Sequence, residues 1–394
     1  MLSGLNKLNS LFQKLQAKIM VRIVTVLLFF VSYYSSAKII WIEPSSNIFS
    51  YVGRFDLTSL KKVKFAHSGN QIEFQFKGNS FHIGFSNIYF EGIENKNFFS
   101  VIINGKVKQV IEGTSYLKYH KVEVNSPDSF SNVEIFKRTE ALSAIAVFHG
   151  VEYTQGEFRE KASKKRRIEW IGDSFLVGYG NLVSIEPSPK GNPSTGFHSI
   201  NQDGYLAFGA ITSRFLNADF SCVGISGKGV YRNFDKSENN TLPKIYPKIY
   251  PNSDIDNKYS FSYDPDLIVI AIGKNDFGGE ISVPPDMTDS SRFVKTYLTF
   301  LELVTKNNPN SKIVLAIGGG LTDLFPMSLR RLTRFRTWMK IVKSEAEIKF
   351  SNTFGFFEFQ LHNPPYGEDW HPTVFSQEKF ANEITPYLKQ FMGW

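Results

Sequence analysis

A chain of 394 residues is too long for one hydrophobic core; at roughly 150 residues per domain it should fold as two or three. Charged residues make up 21% and are mixed in sign, aromatics make up 15%, and there is no fixed-period repeat or low-complexity tract, which excludes disordered and solenoid classes. The single cysteine, Cys222, excludes an intramolecular disulfide and a cysteine-built zinc cage, but assigns no compartment.

The first 37 residues carry Lys7, Lys14, Lys18 and Arg22 with no acid, then the apolar run Ile23 to Val31, then Ser35-Ser36-Ala37. This is the layout of an export signal, and cleavage is expected after Ala37. The run is short for a membrane span, although Ser32 to Tyr34 lengthen it, so an uncleaved anchor is the alternative. Removing the segment takes away four of the eight net positive charges. What remains is mildly basic. The basic run Lys161 to Arg167 has neither stacking aromatics nor a recognition motif beside it, so it reads as a solvated linker and no nucleic acid is expected as a partner.

Residues 38–153 show short alternating or apolar runs separated by Gly, Asn, Ser and Pro. They include Gln71 to Phe76, Phe81 to Phe85, Phe98 to Ile103, Tyr119 to Val124, Val133 to Phe136 and Ala144 to Tyr153. Strands at this spacing predict an all-β sandwich. Asn104-Gly105 is the strongest local hairpin signal in the region.

After a linker at 154–166 the period changes, and residues 167–394 alternate strand with helix. Strands are predicted at Ile168 to Ile171, Phe220 to Val223, Asp266 to Ile272, Lys312 to Ile317 and Thr353 to Phe359. Helices are predicted at Gln202 to Leu216, Ser291 to Lys306, Met327 to Lys349 and Gln377 to Met392. Continuous apolar runs such as DLIVIAI suit strands buried on both faces, and the alternation predicts a three-layer α/β/α domain around a parallel sheet. Lys236 to Tyr263 interrupts it as a long loop of the functional or mobile kind.

The chemistry gathers at strand ends. In Arg167 to Gly180, reading RIEWIGDSFLVGYG, an apolar strand turns sharply at Gly172-Asp173-Ser174, and Phe175 onward can start a helix. The Ser174 hydroxyl would then stand beyond the carboxyl end of a parallel strand, where such sheets bind ligands. Acyl transfer also needs a base and fixed donors for the developing oxyanion. Gly227 follows the next strand in GISGKG, Asn275 follows DLIVIAI in GKNDF, and His371 precedes the last helix in GEDWHP. Each alone is ordinary turn chemistry; the four together, each after a strand, are not.

These four positions resemble the SGNH (GDSL-like) hydrolases, and GDSFLVGYGN, SGKGVYRNF, IGKNDF and DWHP resemble carbohydrate esterase family 2 from about Phe55 to the C-terminus. The resemblance implies a jelly-roll sandwich ahead of an SGNH hydrolase domain, and a serine esterase that removes O-acetyl groups from polysaccharide or oligosaccharide through an acyl-enzyme. It implies Ser174 as nucleophile, His371 as base, and the Ser174 N–H, Gly227 and Asn275 as oxyanion hole, with no metal or organic cofactor. Trp370 is a candidate for packing on a sugar face. For orienting His371, Asp369 is favoured, with Glu368 and a backbone carbonyl as alternatives. An acyltransferase using the same site and a noncatalytic carbohydrate-binding protein are the rival readings.

Overall fold

A computed structural model of the protein describes residues 2–32, 38–90, 95–187, 192–253 and 257–394. The chain divides into two compact units, Met1–Ile40 and Trp41–Trp394. The first holds one α-helix, Leu2–Ser32. The cleavage point expected after Ala37 lies outside the described residues. Among the described residues no helix is long and apolar enough to cross a membrane.

In the second unit an antiparallel sheet comes first, and its main path runs Phe55–Ser59, Lys62–Phe65, Ile145–Tyr153, Gln71–Ile88, Lys118–Lys137, Phe98–Ile103, Lys106–Glu112. The runs expected as four separate strands are two long ones. Gln71–Phe76 and Phe81–Phe85 belong to the 18-residue strand Gln71–Ile88, while Tyr119–Val124 and Val133–Phe136 belong to the 20-residue strand Lys118–Lys137. Their register shifts between Phe76 and Ser80. Across that irregularity the buried set moves from Ile72, Phe74 and Phe76 to Phe81, Ile83 and Phe85, from even to odd positions, yet all six line one core. A local insertion in a period-2 strand flips its faces, which is why the sequence reads as a break. At the expected hairpin, Asn104 and Gly105 have φ of 50° and 78°, as a tight turn between paired strands requires.

The second sheet is parallel, in the order Ala218–Gly224, Arg166–Gly172, Leu267–Ala271, Lys312–Gly318, Phe354–Phe359. Alternate residues of each strand face opposite cores. Ile171, Ile268, Ile270, Ile313 and Leu315 meet the helices Ser290–Asn307 and Arg331–Lys349, while Trp170, Val269, Val314 and Ala316 meet Phe208–Phe215 and Val374–Met392. Both faces are therefore dry, which accounts for the continuous apolar runs.

Four local expectations are corrected. The helix expected over Gln202–Leu216 is α-helical only at Phe208–Phe215, because Ala207 is extended and Asp203 caps a separate 3₁₀ turn at Tyr205. No helix starts at Phe175; residues 174–182 form successive turns. The stretch read as linker contains the strand Glu157–Arg159, paired with Gln75–Lys77, and its cations are engaged: Lys161 pairs with Glu73 at 2.6 Å, and Arg167 with Asp264 at 3.3 Å. The described residues of the long loop pack as a structural clasp, with Tyr246, Tyr250 and Tyr259 buried. Arg54 from the β-rich region lies 4.6 and 4.4 Å from the Tyr246 and Tyr259 rings, donates to the Tyr246 carbonyl, and pairs with buried Glu169 at 2.9 Å. Breaking such a buried pair costs about 3–5 kcal/mol, so this contact locks the two sheets' regions together.

Candidate active site

Three of the expected positions leave neighbouring strands of the parallel sheet at one level. Gly172 is in register with Gly224 on one side and Ala271 on the other. The segments carrying Ser174, Gly227 and Asn275 therefore start side by side at the carboxyl edge, where ligands bind such sheets. Ser174 is 4% exposed and Asn275 7% exposed. Gly227 has φ of 75°, and a Cβ added there would meet nothing within 4 Å, so the requirement for glycine is conformational and the space before it is open.

Buried charges pin this edge. Asp173, beside the Ser, accepts from the Phe175 N–H at 3.2 Å and pairs with Lys274 at 2.9 Å, and Asn275 Nδ2 lies 3.5 Å from it. Lys274 lies across the Phe175 ring, 3.0 Å from its centroid, and burial holds its pKa below the ordinary lysine value against the pull of Asp173. Asn275 Nδ2 donates to the Lys228 carbonyl at 2.8 Å, tying the third strand's loop to the Gly227 loop. Asp276 accepts from the N–H groups of Val230, Tyr231 and Arg232 at 2.8, 2.9 and 3.2 Å. Full burial pushes its carboxyl up to about 7, against the pull of those three donors. Asp276 carries no motif of its own in the sequence; its place directly after Asn275 is the signal that could have found it.

His371 reaches the site from the far side of the sheet, on the turn that follows the last strand. Its ring stacks on Tyr179 at 4.2 Å and 27°, and meets Phe175 edge-on at 5.5 Å, so it packs against the turn that carries Ser174. Gly180 permits this approach. A Cβ there would stand 2.4 Å from Glu368 Cβ, and the Glu368 N–H donates to the Gly180 carbonyl at 3.2 Å. Burial, with the Lys274 cation nearby, holds the imidazole below its ordinary pKa, against the Glu368 carbonyl and the Asp369 charge. It is thus neutral at neutral pH.

The expected orienting acid is displaced. Asp369 Oδ2 accepts from Tyr179 Oη at 2.5 Å and Oδ1 from the Gly196 N–H at 3.1 Å. The Glu368 carboxylate accepts from the His198 N–H and Asn201 Nδ2 and contacts His198 Nδ1, at 3.1, 2.7 and 2.7 Å. The group at His371 Nδ1 is the Glu368 backbone carbonyl, 2.9 Å away. The physical reason is backbone conformation. Asp369 and Trp370 both adopt left-handed φ, 47° and 63°, which swings the Asp369 side chain outward and turns the Glu368 carbonyl inward. Such residues cost of order 1–3 kcal/mol each and persist only where their surroundings hold them. Here the Asp369 N–H donates to the Pro193 carbonyl at 2.6 Å, and His362 Nε2 lies 2.9 Å from the Trp370 carbonyl. Trp370 is 47% exposed, with Nε1 donating to Ser194 Oγ at 3.2 Å. Among the described residues no group of three or more His, Cys, Asp or Glu could hold a metal ion.

A model described as GDSL-like lipase/acylhydrolase matches residues 168–384, and one described as carbohydrate esterase 2 N-terminal matches residues 51–160. The chain is 27% identical over 349 residues to the cellulase/esterase CelE of Acetivibrio thermocellus, covering 87% of this chain and 39% of that protein. It therefore spans well under half of that relative. To an acetylxylan esterase/glucomannan deacetylase of Cellvibrio japonicus it is 27% identical over 353 residues, covering 84% and 87% of the two chains. A family two carbohydrate esterase from Clostridium thermocellum, solved in complex with cellohexaose, superposes with a TM-score of 0.77 at 26% identity, covering 88% of this chain and 99% of that one.

Proposed function

Because the chain belongs to the GDSL-like lipase/acylhydrolase family, we propose that it is a serine esterase that removes O-acetyl groups from a polysaccharide or oligosaccharide. The observation that carries this reading is the in-register departure of the Ser174, Gly227 and Asn275 segments from three adjacent strands, with His371 packed on the Ser174 turn. The named activities of the CelE relative and the Cellvibrio deacetylase support the ester class and the carbohydrate.

His371 donates Nδ1–H to the Glu368 carbonyl, which leaves the Nε2 lone pair to take the Ser174 proton. Ser174 Oγ attacks the acetyl carbonyl, and the oxyanion is held by the Ser174 and Gly227 N–H groups and the Asn275 amide. Collapse expels the sugar oxygen, which receives the proton from His371. Water then attacks the acetyl-enzyme with His371 again as base, releasing acetate and restoring Ser174. His371 works here with Ser174 as a dyad steadied by a main-chain acceptor. Asp369 contributes through Tyr179, whose ring covers the imidazole face. Exposed Trp370 offers a sugar-packing surface beside the base.

The cationic N-terminus followed by the apolar run supports export to the periplasm or beyond, with anchoring where the segment stays uncleaved. Acetate release from acetylated xylan and glucomannan tests the activity. Wild type is expected to release acetate, and Ser174→Ala to lose about a thousand-fold or more while remaining folded. A folded Ser174→Ala that keeps more than a few per cent of the rate removes Ser174 as nucleophile.

A further inference from the structure

Gly227 can stabilise an oxyanion only if its turn is rigid, since preorganised donors act by being in place before charge develops. One side of that turn is fixed by the Phe234 N–H on the Gly227 carbonyl at 2.8 Å and by Asn275 on Lys228. The other side is held by a residue from the β-rich region. Glu140 follows the long strand Lys118–Lys137 and is wholly buried. Its Oε2 accepts from the Ser226 N–H at 2.7 Å, and its Oε1 from Ser226 Oγ at 2.6 Å. Both hydrogen-bond donors of the residue preceding Gly227 thus end on one carboxylate. Oε1 also accepts from Gln202 Nε2 at 3.2 Å, and the Gln202 side-chain oxygen accepts from the Glu140 N–H at 3.1 Å. The same Gln202 amide donates to the Val177 carbonyl in the Ser174 turn at 3.1 Å. One buried carboxylate therefore links the oxyanion loop to the nucleophile turn.

We infer that Glu140 is a positioning residue for the esterase reaction: reaching out of the β-rich region, it fixes the Ser226–Gly227 turn so that the Gly227 N–H is aimed at the oxyanion. This rests on the esterase reading above and adds to it a reason for the first region to accompany the second, because the hydrolase segment alone lacks one clamp of its own oxyanion loop. A buried carboxyl group whose oxygens are matched by donors from around the site is costly to bury without them, so the pairing specifies one geometry.

The test uses the full chain and a soluble chromogenic acetate ester, with thermal unfolding measured alongside. Glu140→Gln keeps the shape but replaces one accepting oxygen with an NH2 donor, and is expected to lower kcat roughly tenfold with KM within about twofold, since an oxyanion donor acts chiefly in the transition state. Ser226→Ala removes only the Oγ bond, and is expected to lower kcat about threefold. In an Asn275→Ala background the Glu140→Gln effect should shrink, because both act on the same developing charge; a purely structural role would leave it undiminished. Unchanged kcat in folded Glu140→Gln, or a raised KM at constant kcat, overturns the inference. Should Glu140→Gln fail to fold, Ser226→Ala decides, and wild-type kcat there overturns it. Failure of the esterase reading looks different: wild type releases no acetate, or Ser174→Ala stays active.

Discussion

The two halves of the site are built on different physics. On the side proposed to carry the nucleophile and oxyanion donors, Ser174, Gly227 and Asn275 follow three in-register strands, and buried carboxylates fasten their loops: Asp173 on Lys274, Asp276 on three successive N–H groups, Glu140 on Ser226. On the side of the proposed base, His371 hangs from a turn with two left-handed residues, steadied by the Glu368 main-chain carbonyl and the face of Tyr179. Donors that must meet a transient charge gain from a rigid, water-poor frame in which buried charges are matched. A base that moves a proton twice per turnover needs a fixed tautomer and an open Nε2, and a carbonyl supplies that without a second buried charge.

If this division is right, disturbing the first side should cost most. Asn275→Ala is expected to lower kcat about 100-fold or more with little change in KM, because its amide acts mainly in the transition state. Steady-state kinetics with one soluble acetate ester checks this. A raised KM at constant kcat would make Asn275 a substrate-positioning residue and blur the distinction.

On the base side the same assay should find smaller losses. Asp369→Asn leaves the Glu368 carbonyl on His371 Nδ1 and disturbs the Tyr179 prop, the Gly196 N–H contact and a nearby charge, so a loss of less than about tenfold is expected, well short of the ten-thousand-fold cost of an essential orienting acid. Glu368→Gln should change turnover less still and show mainly in thermal stability, since that carboxylate ties down residues 198–201. A thousand-fold loss in folded Asp369→Asn would return that residue to the triad.

The smallest effect concerns pH. A base whose pKa is held below the ordinary imidazole value of about 6.5 is still unprotonated there, and loses function only as pH falls through its lowered folded-state pKa. The acid limb of kcat/KM is therefore expected below pH 6.5, with little loss between pH 7.5 and about 6. A limb centred at or above 6.5 would mean that the imidazole is solvated as an exposed one is.

Much of this was legible in the chain. Alternation in Gln71–Phe76, continuous runs such as Leu267–Ala271, and the placement of Ser174, Gly227, Asn275 and His371 after strands follow from local rules, because a hydrophobic period and a residue's backbone freedom are properties of a few neighbouring residues. What only the tertiary structure decided depends on where a side chain points and what arrives from elsewhere. Asp369 and Glu368 both had workable spacing, yet the left-handed backbone at Asp369 and Trp370, held by Pro193, Gly196, Tyr179 and His362, turned a carbonyl toward His371 and the carboxylates away. Glu140 carries no motif at all; it meets Ser226 because the end of a strand in the first region lies against the Ser226–Gly227 loop of the second, a proximity that no local pattern encodes.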